Sequence, residues 1–78
     1  MSVETRIREI ISDVVEGFDG AALNADAELL DTGLDSLDIA SVLLEVQEEF
    51  GVIVPDGEED KYDTLAKLVA FVSEKQSS

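Results

Sequence analysis

Ser36 is the residue whose type and position best suit chemistry with another molecule. It stands in the run Leu34-Asp35-Ser36-Leu37-Asp38. The preceding Asp31-Thr32-Gly33 is polar and turn-prone, whereas residues 37–50 contain no glycine or proline. Asp35 is therefore predicted to cap a helix whose first turn contains Ser36. In that position the hydroxyl lies at the surface and is available to a second molecule.

The chain by itself offers little for catalysis by Ser36. A serine nucleophile needs a base to take its proton, and the sequence contains no His and no Cys. Lys61, Lys67 and Lys75 could act as bases, but nothing in the sequence places one of them beside Ser36. If Ser36 does chemistry, a second protein supplies the catalysis. The alternative is that Asp-Ser at a helix start is ordinary capping without any further role.

A calcium site is the competing chemistry that such an acidic loop suggests. An EF-hand loop needs a glycine at its sixth position and a glutamate at its twelfth. Counted from Asp31, the sixth residue is Ser36 and the twelfth is Val42. The pattern fails, so we expect loose divalent binding to carboxylates and no dedicated metal site.

Hydrophobic periodicity predicts the elements that must position Ser36. Apolar residues recur at three- and four-residue steps near the N-terminus and form one helical stripe, which ends at Gly17 and Gly20. A long loop follows, from about Asp19 to Asp35, and the leucines spread through it indicate that it packs against the core. The stripe comprises Val3, Ile7, Ile10, Ile11, Val14 and Phe18.

The predicted helix after Ser36 has more apolar surface than one core face requires. One broad face is apolar, and acidic residues fall largely opposite it. Leu37, Ala40 and Leu44 form a second stripe on the flank. From the residues alone, this stripe is either the edge of a wide buried face or a surface exposed for a partner. The core face comprises Ile39, Val42, Leu43, Val46 and Phe50.

The C-terminal third completes the predicted fold. Val52-Ile53-Val54 is predicted to be a buried connection, because no other segment could pair with it as a strand. Pro55 is predicted to begin a short helix with Asp56, Glu58 and Glu59 near its positive end, and Thr64 to cap the last helix. The last helix has its core stripe at Leu65, Leu68, Val69 and Val72.

Together these elements predict an all-α fold, a small bundle of three main helices and one short helix. We expect residues 1–78 to form a single domain, with residues 76–78 as a flexible tail.

The amino-acid composition excludes some classes of function and favours others. The net charge of −14 argues against nucleic-acid binding, since phosphate contacts need Lys and Arg, and no positive residue lies between Glu9 and Asp60. Such a surface favours encounter with basic partner surfaces. The hydrophobic fraction of 45% opposes disorder. The sequence shows no secretory signal and no membrane-spanning segment, so we expect a cytoplasmic protein. We also expect it to be a monomer.

The residues around Ser36 also carry a resemblance to a known family. Asp35-Ser36-Leu37 matches the Asp-Ser-Leu attachment motif of the acyl carrier protein family. Gly33-Leu34 precedes it, and Glu48-Glu49-Phe50-Gly51 closes the acidic helix. Val54-Pro55-Asp56 matches a second landmark of that family. With this length, acidity and helix order, the resemblance covers nearly the full chain.

The resemblance implies a non-catalytic carrier. In that family a separate phosphopantetheinyl transferase esterifies the serine, here Ser36, with 4′-phosphopantetheine from coenzyme A. The thiol of that group holds acyl groups as thioesters and presents them to ligases, synthases and acyltransferases with basic docking patches. The resemblance also implies a shelter for the cargo between Ile39, Val46, Val54 and Tyr62. The implied partner-binding residues are Asp35, Leu37, Asp38, Ala40, Leu44, Glu45 and Glu48.

Two alternatives stay open from the sequence. Within the family, the chain could be an aminoacyl or peptidyl carrier instead of one that serves fatty-acid, polyketide or related specialised biosynthesis. From a different class of protein, it could be an acidic helical adaptor that binds a basic partner and carries no prosthetic group.

Overall fold

Three α-helices and three short 3₁₀ turns make up the fold. The structure, a computed structural model, describes residues 2–55 and 57–77, with only the backbone described at position 77. The helices are α1 (Val3–Val14), α2 (Ser36–Phe50) and α3 (Leu65–Ser77), and the 3₁₀ turns span Gly20–Ala22, Leu29–Thr32 and Glu59–Lys61. α1 packs against both α2 and α3. No strand forms among the described residues, so the predicted all-α fold is confirmed.

α1 follows its predicted apolar stripe. The Ser2 hydroxyl caps the helix by accepting a hydrogen bond from the Thr5 amide at 3.1 Å, and Ile7, Ile10 and Ile11 are buried. The helix ends at Val14, so Phe18 lies beyond it. Phe18 is nevertheless half-buried against the core, and its amide donates to the Val15 carbonyl at 3.1 Å in the turn after the helix.

The loop between α1 and α2 is packed down, as predicted. The Arg8 guanidinium donates hydrogen bonds to the carbonyls of Gly20 and Leu23 at 2.9 and 2.7 Å. The Ser12 hydroxyl accepts the Gly20 amide at 2.8 Å. A Cβ at Gly20 would lie only 2.1 Å from the Arg8 carbonyl oxygen, so only glycine fits this approach. These contacts hold the beginning of the loop against α1.

The end of the same loop is attached to α3. The Leu29 amide donates to the Asp63 carbonyl at 2.8 Å, and the Ala66 amide to the Ala25 carbonyl at 3.0 Å. Leu29 and Leu34 are buried, whereas Leu30 is 60% exposed. The loop therefore brings its outward-facing side chains next to the residues that precede α3.

The connection after α2 differs from the prediction in two respects. Ile53 is 77% exposed, although its neighbours Val52 and Val54 are buried as expected. The short helix does not begin at Pro55, because the chain instead forms a 3₁₀ turn at Glu59–Lys61. Gly57 has a φ of 86°, which a right-handed helix cannot accommodate, and it separates the proline from that turn. Asp56 lies outside the described residues.

α3 is longer than predicted at its C-terminal end. The Thr64 hydroxyl accepts a hydrogen bond from the Lys67 amide at 3.2 Å and caps the helix as expected. The core stripe is also as predicted at Leu65, Leu68 and Val72, which are buried. Gln76, assigned from the sequence to a flexible tail, lies within the helix, and its side chain donates to the Phe50 carbonyl at 2.7 Å. This bond joins the last turns of α2 and α3.

Candidate functional site

Ser36 is the first residue of α2, where a double cap fixes the helix start. The Asp35 carboxylate accepts a hydrogen bond from the Asp38 amide at 2.8 Å. In return, the Asp38 carboxylate accepts a hydrogen bond from the Asp35 amide at 3.3 Å. This reciprocal pair is a capping box, which satisfies two amides that the first turn leaves unpaired. The helix start therefore does not use the serine hydroxyl.

The Ser36 side chain is free to react with another molecule. Ser36 is exposed, and its hydroxyl makes no hydrogen bond to any of residues 2–55 or 57–77. An exposed hydroxyl without such a bond is accessible to a group donor that binds from outside the chain.

A groove with a volume of about 380 Å³ begins at Ser36. Its apolar wall on α2 consists of Ile39, Ala40 and Leu43, and Leu30 and Tyr62 also line it. A volume of this size lies at the small end of the range for small-molecule pockets. A group attached to Ser36 would start at the edge of this groove.

The groove differs in part from the shelter that the resemblance implied. Ile39 and Tyr62 line it as expected. Val46 and Val54 do not line it, and both side chains are buried. The Val54 amide donates to the Gln47 side-chain oxygen at 2.8 Å, which holds this segment against the end of α2.

Tyr62 has a fixed position in the groove wall. Its ring lies 4.7 Å from the ring of Phe71, centroid to centroid, at an interplanar angle of 45°. Such tilted aromatic pairs are favourable. Phe71, which is not among the residues of the predicted core stripe of α3, thus packs against the edge of the core and supports Tyr62.

The remaining wall of the groove is acidic. Glu28, Glu59, Asp60 and Asp63 line it together with the apolar residues. The Lys67 ammonium lies 2.9 Å from the Asp63 carboxylate, and this hydrogen bond lowers the pKa of Asp63. Lys61 pairs with Glu58, which lies outside the groove lining, and that hydrogen bond raises the pKa of Lys61.

The second apolar stripe of α2 is exposed, which decides between the two interpretations left open by the sequence. Leu37 is 78% exposed and Leu44 57% exposed, and Ala40 is exposed between them. Glu45 and Glu48 lie exposed on the same helix. Among the predicted partner-binding residues, Asp38 is half-buried and therefore less exposed than the others. Its carboxylate also accepts the hydrogen bond from the Asp35 amide in the cap.

Sequence reasoning missed several groove residues, among them Leu30, Glu59 and Asp60. These three lie in 3₁₀ turns, which are too short for a hydrophobic period to mark one face. No signal in the sequence distinguishes the exposed Leu30 from the buried Leu29. Their role depends on which neighbours the tertiary structure gives them.

Among residues 2–55 and 57–77, no group of three or more carboxylate, His or Cys side chains is placed to hold a metal ion. Within the same ranges, no helix is long and apolar enough to cross a membrane.

Comparisons with known proteins agree with this geometry. A family model described as the phosphopantetheine attachment site matches residues 5–72 of the chain. The chain is 35% identical over 77 residues to an acyl carrier protein from Solidesulfovibrio magneticus, with 97% of each chain covered. It is 36% identical over 76 residues to an acyl carrier protein from Akkermansia muciniphila, with 96% of this chain and 94% of that protein covered. The chain belongs to the acyl carrier protein family.

Membership in the acyl carrier protein family confirms the resemblance inferred from the Asp-Ser-Leu motif. The cofactor of this family is phosphopantetheine. The local structure fits that group, because Ser36 has an exposed hydroxyl, without a hydrogen bond to residues 2–55 and 57–77, beside a groove with an apolar wall.

Proposed function

We propose that Ser36 is the residue that carries 4′-phosphopantetheine and that the chain acts as a non-catalytic acyl carrier. The observation that carries the proposal is the Ser36 hydroxyl, exposed at the start of α2 and without a hydrogen-bond partner in residues 2–55 and 57–77. Asp35 and Leu37 complete the attachment motif around it. The other serines lie outside this motif.

Ser36 acts as an acceptor in the attachment step. Its Oγ forms a bond to the phosphorus that bears the pantetheine arm of coenzyme A, and the bond from that phosphorus to 3′,5′-ADP breaks. The hydroxyl proton passes to a base of the phosphopantetheinyl transferase, since the chain has no His or Cys. The attached group then supplies a thiol on which acyl cargo is held as a thioester.

The surface around Ser36 is suited to successive partner enzymes. Leu37, Ala40 and Leu44 give an exposed apolar stripe, and Asp35, Asp38, Glu45 and Glu48 give it an acidic surround. Basic patches on a transferase, an acyl or aminoacyl ligase, a synthase or an acyltransferase would be attracted to this charge.

Intact mass measurement tests the proposal. The chain is incubated with coenzyme A and a transferase of broad specificity, and it should gain the mass of one phosphopantetheine. Ser36→Ala should gain none, while Ser41→Ala, a change at another exposed serine of α2, should be modified like the wild type. Circular dichroism checks that both variants remain helical. Modification of Ser36→Ala, or a modified peptide that contains a different serine, would contradict the assignment.

A further inference from the structure

The segment directly after α2, residues 52–54, is held against the helix by a single residue, Gln47. The Val52 amide donates a hydrogen bond to the Gln47 carbonyl at 3.2 Å. The Val54 amide donates to the side-chain oxygen of Gln47 at 2.8 Å. The side-chain nitrogen of Gln47 donates in turn to the Leu43 carbonyl at 3.2 Å. Both ends of the segment are therefore fixed to the last turns of α2.

Ile53, between these two fixed points, is turned outwards. It is 77% exposed, whereas Val52 and Val54 are buried. This alternation has the period of a β-strand, in which the backbone groups of alternate residues also point to the same side. Since the amides of Val52 and Val54 point to α2, the amide and carbonyl of Ile53 point away from it. Neither of these two groups forms a hydrogen bond within the described residues.

We propose that residues 52–54 form a docking edge for an extended, basic segment of a partner protein, which pairs with the amide and carbonyl of Ile53. In this mode of recognition an extended peptide adds to an exposed strand edge, and main-chain hydrogen bonds provide affinity. The fold already contains one short pairing of this kind, because Glu28 and Thr64 form an isolated antiparallel bridge. Gln47 fixes the docking edge in advance, so binding orders little additional backbone.

The charge of the chain specifies which occupant fits the docking edge. The net charge is −14, and no Lys or Arg occurs between Glu9 and Asp60, a range that includes the docking edge. Glu48, exposed directly after Gln47, forms no ion pair among the described residues. A second copy of the chain would bring the same negative charge to the contact and is therefore disfavoured. A segment that alternates basic and apolar side chains suits both this charge and the exposed Ile53.

The docking edge is separate from Ser36. Between Ser36 and Gln47, α2 advances about 16 Å along its axis, at about 1.5 Å per residue. A partner segment on the docking edge therefore leaves the hydroxyl at the other end of the helix accessible. The docking edge does not depend on phosphopantetheine attachment, and it adds a second contact surface to the proposed function.

Nuclear magnetic resonance of the isotope-labelled chain tests the docking edge. The probe is a short capped peptide of alternating lysine and valine. Its control is the same peptide with N-methylated backbone amides, which keeps the charge and the side chains but blocks main-chain pairing. The unmethylated peptide should slow the exchange of the Ile53 amide with water, and the methylated peptide should not. Because two ordinary hydrogen bonds are lost, the methylated peptide should bind about tenfold more weakly or worse.

Two variants at position 53 separate the backbone from the side chain. Ile53→Pro removes the amide donor and should bind both peptides equally weakly. Ile53→Ala keeps the donor and should still prefer the unmethylated peptide. Both variants lose the same exposed side chain, so a difference between them isolates the amide. Circular dichroism checks that they remain helical, and the comparison of peptides on the wild type decides the matter if Ile53→Pro does not fold.

Each outcome supports or overturns the docking edge. Slower exchange of the Ile53 amide with the unmethylated peptide alone supports it. Equal binding of the two peptides would overturn it, because charge alone would then explain the contact. Absence of binding, or binding that leaves the Ile53 amide unchanged, would also overturn it. Self-association that Ile53→Pro abolishes would replace the basic occupant by a second copy of the chain. The mass gain at Ser36 is measured separately, so failure of the attachment site is distinguishable from failure of the docking edge.

Discussion

At the scale of single residues, Asp35 has a structural role besides its place in the attachment motif. Its carboxylate accepts the Asp38 amide and its own amide donates to Asp38, so the start of α2 depends on this pair. Ser36 follows directly. A change at Asp35 therefore affects both the helix start and the position of the acceptor hydroxyl.

Asp35→Ala should lower the free energy of unfolding by about 1 kcal/mol, as expected for the loss of an N-cap side chain. Urea denaturation measures this. Asp35→Asn keeps a capping oxygen and should retain most of the stability, whereas Glu48→Ala, a change at an exposed acid distant from the cap, should cost less. Equal stability of Asp35→Ala and the wild type would show that the cap does not matter.

A second residue-scale feature joins α1 to the end of α2. The Arg6 guanidinium donates to the Glu49 carboxylate at 2.9 Å. This hydrogen bond lowers the pKa of Glu49 and raises that of Arg6. Because the folded state then binds fewer protons than the unfolded state, the contribution of the pair is complete above the ordinary carboxyl pKa and is lost as the pH falls through the lowered value.

Glu49→Gln should therefore lower the melting temperature slightly at pH 7, and the difference from the wild type should shrink below about pH 4. Melting curves across this range provide the measurement. Glu16→Gln, at an exposed acid without an ion pair among the described residues, controls for the removal of one negative charge. A difference that stays constant with pH would show that the carboxylate of Glu49 is not its source.

At the scale of elements, α2 has two apolar faces with different roles. Val42, Leu43 and Val46 are buried against the core. Leu37 and Leu44 face outwards, although they are as apolar as the core residues. The helix thus supports the fold on one side and offers an apolar surface on another.

The neighbours Leu43 and Leu44 allow a matched comparison. Leu43→Ala removes a buried side chain and should cost about 2–5 kcal/mol of unfolding free energy. Leu44→Ala should change stability by less than about 0.5 kcal/mol, yet it should raise the KM of the transferase for the chain. Urea denaturation and loading kinetics measure the two effects. Similar stability losses for both variants would contradict the assignment of the two faces.

At the scale of the whole molecule, the net charge of −14 acts on a small core. Within the described residues, ion pairs involve few of the acidic side chains. Like charges repel more in the folded chain than in the expanded unfolded chain, so the charge opposes folding. The same charge favours encounter with basic partners.

Moderate salt should therefore raise the melting temperature by screening this repulsion. Mg²⁺ should raise it more steeply per ion, because a divalent cation can lie between carboxylates. Parallel titrations with NaCl and MgCl₂ at constant pH measure the effect. A flat response to both salts would mean that the acidic surface does not destabilise the fold.

Local sequence determined the helices and the position of Ser36. The apolar period of α1 and the Asp35 cap act within one or two turns, so each is visible in a short window of sequence. The fold class and the exposed serine followed from such signals. Three features did not follow from local signals. They are the end of α1 before Phe18, the 3₁₀ turn after Gly57 and the place of Gln76 in α3.

Only the tertiary structure decided the groove. Leu30 and Tyr62 are far apart in the sequence, and they line one space because backbone hydrogen bonds from the Leu29 amide to Asp63 and from the Ala66 amide to Ala25 join their segments. The exposure of Leu37 and Leu44 likewise depends on which face of α2 packs against α1. A helix sequence shows how apolar each face is, but burial depends on which faces the other elements cover, and those contacts are long-range.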